Sequence, residues 1–65
     1  MFVSTALLDS LFHAFDVSEN LPMSMEQINQ SIAIWTMITG MVGHEPDDLF
    51  NDWIARGRPV GAVPQ

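Results

Sequence analysis

The chain has no cysteine, no lysine and no tyrosine, and only two arginines against eight carboxylates. Each absence excludes something. Without cysteine there are no disulfides and no thiolate zinc sites. Two histidines are too few for a zinc site built from histidine alone. Without lysine, and with arginine confined to positions 56 and 58, the chain lacks the cations that phosphate backbones and anionic lipids require. Direct nucleic-acid binding is therefore not expected. Charged residues make up 15% of the chain, below the roughly 25% of an average soluble protein.

Apolar residues reach 48%, which argues for a packed domain rather than a disordered tail. At 65 residues one domain is the limit, and its core is marginal. Oligomerisation or a partner is the remaining way to support it. The N-terminal residues carry Asp9 and no basic cluster, so they do not read as a signal peptide. The longest strongly apolar run, residues 32–42, is shorter than the ~20 residues of a membrane span. The expectation is a soluble, cytoplasmic protein.

The periodicity predicts an all-α, three-helix bundle-like domain over residues 1–58, with helices near 4–16, 24–42 and 46–56. Residues 59–65 form an extended C-terminal tail, with Val60 and Val63 able to lie against the bundle or fray with it. In the first helix Ser4 is the N-cap, and Leu7, Leu8, Leu11, Phe12 and Phe15 form an apolar stripe. Asp9, Ser10, His13 and Asp16 lie off that stripe. The second helix opens on Ser24-Met25-Glu26-Gln27, a capping-box pattern. Its second half is apolar nearly all round, which places it centrally, buried on more than one side. Pro46 suits the first turn of the third helix, Asp47 and Asp48 favour its dipole, and Gly57 suits its exit.

Three clusters are candidates for function. Glu45, Asp47, Asp48 and Asp52 hold half the carboxylates and read as a partner-facing acidic rim. The blander reading is helix capping and a solvated face. Asp9 and His13 are one turn apart, yet such a pair is usually a surface hydrogen bond rather than a metal or catalytic site. Met23, Met25, Met37 and Met41, with Trp35, Phe50 and Trp53, read mostly as core. Part of that set reaches an interface, because two short helices cannot cover all of residues 32–42. Ile34, Trp35, Met37, Ile38 and Met41 are the expected self-association residues of a homodimer formed through helix two. No catalytic, cofactor-binding or metal-binding motif is present, so no enzyme is expected.

The function these features favour is a small acidic protein–protein interaction module, an inhibitor or adaptor occupying a larger partner with a basic patch. Phage or mobile-element accessory proteins are an analogy for it. The alternatives are a nucleic-acid mimic that blocks a DNA- or RNA-handling enzyme, and a structural component of a larger assembly.

Overall fold

A computed structural model describes residues 4–61. Within them the chain forms α1 (Thr5–Glu19), α2 (Met25–Val42) and α3 (Asp47–Ala55), with no strand among the described residues. The two predicted serine caps are both in place. The Ser4 hydroxyl accepts from the Leu7 amide at 3.4 Å, and the Ser24 hydroxyl accepts from the Gln27 amide at 3.1 Å. The reciprocal half of the capping box does not form. The Gln27 side-chain amide donates instead to Glu19 of α1 and to Ser31 of its own helix.

The first helix runs three residues beyond the predicted end at residue 16. Asn20 explains the extension. Its side-chain amide donates to the Asp16 carbonyl at 2.7 Å, and its backbone amide donates to the same carbonyl at 3.2 Å. Helix ends leave carbonyls without partners, and Asn20 supplies one here. Gly40 continues α2 instead of ending it, and Gly43 takes the left-handed conformation at φ 83° that closes the helix. Pro46 sits at the N-cap of α3, one position before the expected first turn, and is buried.

The centre of the bundle is α1, not α2. Backbone contacts join α1 to both other helices, while α2 and α3 meet only through side chains. Each helix sends one fully buried apolar side chain into the core: Phe12, Ile38 and Trp53. Phe50 stacks on Trp53 with ring centroids 5.5 Å apart and meets Phe12 at 5.4 Å. Phe15 and Trp35 lie 4.8 Å apart and carry the aromatic packing toward the α1–α2 seam. Such pairs are worth about 0.5–1.5 kcal/mol beyond the area they bury.

Residues 59–61 lie along α1 and act as a strap. Pro59 accepts from the Trp53 indole at 2.7 Å, and Val60 accepts from the Ser10 hydroxyl at 3.3 Å. Gly61, at φ 82°, presses against the Ala6 carbonyl and the Ser10 backbone where no Cβ would fit. Val60 itself is exposed. Val63, the other tail residue for which packing against the bundle and fraying were both open, lies outside the described residues.

Candidate interaction site

The sequence assigned Asp9 to a polar surface, and the structure corrects that. Asp9 is 6% exposed and accepts a bidentate pair from Arg56, with Nη2 to Oδ1 at 2.9 Å and Nη1 to Oδ2 at 3.2 Å. Arg56 also donates through Nε to Asp52 at 3.1 Å. Hydrogen bonding to Asp9, above all, raises the guanidinium pKa above its ordinary value. A raised arginine pKa contributes stability that is present throughout the physiological range and is lost only in strong alkali. Arg58 approaches Asp16 to 4.0 Å, so both arginines of the chain face its own carboxylates.

These pairs divide the predicted acidic rim. Asp52 is engaged by Arg56. Glu45 accepts the Trp35 indole N–H at 2.6 Å through Oε1. Asp47 and Asp48 are exposed in the first turn of α3, where their charge complements the helix dipole. The four carboxylates therefore do not form one uncommitted surface.

The self-association set divides as well. Ile38 is fully buried in the core and is withdrawn from any surface. Ile34 and Trp35 are half-buried and pack against that core, and Met41 is half-buried. Met37 alone of the five is exposed, at 53%. Apolar composition all round α2 misled the assignment: only one side is covered, because α1 and α3 both lie on that side. Ile32, outside the predicted set, is 59% exposed. Ala33, Thr36 and Gly40 are also exposed and, at helical spacing, fall between Ile32 and Met37 on the outer face. Met23 and Met25 extend the exposed apolar surface to the start of α2.

Beside this face runs an open groove of about 290 Å³ between α1 and α2. Phe15, Glu19, Ser31, Ile32, Trp35 and Thr36 line it. Ser31 is 5% exposed and Ser18, two residues beyond the predicted end of the first helix, is 1% exposed. Their hydroxyls meet at 2.7 Å across the helix pair. Ser31 also donates to Glu19 Oε2 at 3.2 Å, and the Gln27 amide donates to the same oxygen at 3.1 Å. Gln27 donates to the Ser31 hydroxyl as well, at 3.0 Å. Either hydroxyl of the serine pair can be the donor, and the Ser18 hydroxyl also reaches the Gln27 carbonyl oxygen at 3.5 Å. Every buried side-chain polar atom among the described residues has a partner.

No group of three or more potential metal ligands occurs among the described residues. His44 lies in the α2–α3 loop with Nδ1 2.9 Å from the Glu45 carbonyl oxygen. No described helix is long and apolar enough to cross a membrane. Comparison with protein-family models, curated proteins and solved structures finds no match to the chain.

Proposed function

We propose that the chain is a small non-enzymatic protein–protein interaction module, an inhibitor or adaptor that occupies a surface on a larger partner. The outward face of α2 carries this reading. Ile32 and Met37 stand more than half exposed, and Met23 and Met25 stand more than 70% exposed. Apolar side chains gathered on one face mark interaction surfaces more often than isolated ones do. Methionine adapts its shape to a partner. A net charge of −6 steers the chain toward basic surfaces and away from nucleic acid. The nucleic-acid mimic is the weaker reading, because Asp52 and Glu45 are already engaged within the chain.

A homodimer formed through Ile32 and Met37, in place of Ile38, would occupy the same face and so compete with the larger partner. Gly40 supports it. Nothing in the chain lies within 4 Å of where a Cβ at Gly40 would stand, so internal packing does not require glycine there. A closely approaching second backbone would require it.

Affinity capture from the native host, followed by mass spectrometry, identifies the partner. Substitution then tests the reading. Ile32→Asp with Met37→Asp should weaken capture at least tenfold. Asp47→Asn, Asp48→Asn and Asp52→Asn together should weaken it only a few-fold. The opposite ranking, with steep loss in salt, would favour the mimic. Trp35→Ala is a poor probe, since Trp35 also packs on Phe15 and Phe50.

A further inference from the structure

We infer that the α1–α2 groove is a receptor for a lysine side chain from the partner protein. The inference rests on the interaction reading above and gives it a specific recognition element. Three observations carry it.

The first is a carboxylate held in place at an aromatic groove. Glu19 Oε2 accepts from both Gln27 and Ser31. Its other oxygen, Oε1, accepts no hydrogen bond among the described residues. The donors that fix the headgroup therefore leave one oxygen for a ligand. Phe15 and Trp35 add aromatic surface to the same groove, and Ile32 and Thr36 form its α2 wall. A cation with an apolar stem fits this combination: the stem takes the apolar wall and the charge takes the carboxylate and ring faces.

The second is the kind of cation. Arginine pairs best with a carboxylate through both oxygens at once. At Glu19 one oxygen already has two donors, so the fork cannot be matched. A lysine ammonium, a compact point charge, needs only the remaining oxygen.

The third is the origin of the cation. The chain has no lysine, and its two arginines already face Asp9, Asp52 and Asp16. Neither this chain nor a second copy of it supplies the occupant. The groove is complementary to a different protein.

The test uses the whole chain and the pentapeptide Ac-Ala-Val-Lys-Val-Ala-NH2. Two companions carry arginine or norleucine at the centre. Binding is read by 1H–15N NMR titration, following the Trp35 indole and the amides of residues 19 and 32. The Trp53 indole, buried and bonded to Pro59, is the internal control. The lysine peptide should move the groove signals and leave Trp53 unmoved. The norleucine peptide should bind about fivefold more weakly, the gain expected from a solvent-exposed cation–π contact and ion pair. The arginine peptide should fall between them. Glu19→Gln keeps an acceptor for Gln27 and Ser31 and should abolish the preference for lysine. Thr36→Glu, at an exposed position, should strengthen lysine binding about twofold. Equal binding of lysine and norleucine, an arginine preference, or shifts confined to α3 would overturn the inference. A partner captured through Ile32 and Met37 while the lysine peptide leaves the groove silent would overturn it too, with the interaction reading intact.

Discussion

Ser18 and Ser31 illustrate how little a polar side chain says about its own location. In the fold they meet between α1 and α2, together with Gln27 and Glu19. Buried hydroxyls cost little while paired and more when one partner is removed. Ser31→Ala leaves Ser18 with only the Gln27 carbonyl at 3.5 Å. We expect that substitution to lower stability by about 1–2 kcal/mol. Adding Ser18→Ala should recover part of the loss, because the stranded donor is then gone. Urea unfolding of both single variants and the double variant measures the coupling. Strict additivity would mean that the two hydroxyls do not interact. Asp9 teaches the same lesson with charge: its partner Arg56 is 47 residues away, and no local pattern reveals the pairing.

At the scale of the element, helix starts were legible and helix surroundings were not. Ser4, Ser24 and Gly57 act through contacts within a few residues, so the local sequence carries them. Which side of α2 is covered depends on where α1 and α3 pack, and periodicity alone cannot decide it when apolar residues surround the helix. Gly40 makes this testable. An exposed mid-helix glycine costs about 1 kcal/mol relative to alanine. With open space around it, Gly40→Ala should raise the unfolding midpoint of the monomer by several degrees. If α2 pairs with a second copy at Gly40, the same substitution should shift sedimentation toward monomer. A stable wild-type monomer at micromolar concentration would remove the homodimer from the proposal and leave the heterologous partner.

For the whole molecule, the core is the limiting quantity. Phe12, Ile38 and Trp53 are its fully buried apolar side chains among the described residues. Truncating a buried phenylalanine to alanine typically costs about 3–5 kcal/mol, and a single core in a chain this short rarely supplies more than about 3–5 kcal/mol in total. Phe12→Ala should therefore leave a largely unfolded population at 25 °C, read as lost helical circular dichroism. Retention of a cooperative transition near the wild-type midpoint would show that the aromatic cluster of Phe15, Trp35 and Phe50 supports the fold without it. Partner binding would add to stability by mass action, so a marginal core and an interaction role are consistent with each other.

The three-helix, all-α architecture follows from local chemistry: apolar spacing near 3.6 residues, serine caps, and glycine and proline at the exits. These signals act within a few residues, and the chain's own order presents them. The packing decided everything that depends on distant residues. It made α1 the central helix, buried Asp9 against Arg56, drew Ser18 to Ser31, and took Ile38 into the core. It also left Ile32, Met37 and the Glu19 groove at the surface. Burial is a property of the assembled helices, and a single helix's periodicity gives its faces without saying which neighbour, if any, each face will meet.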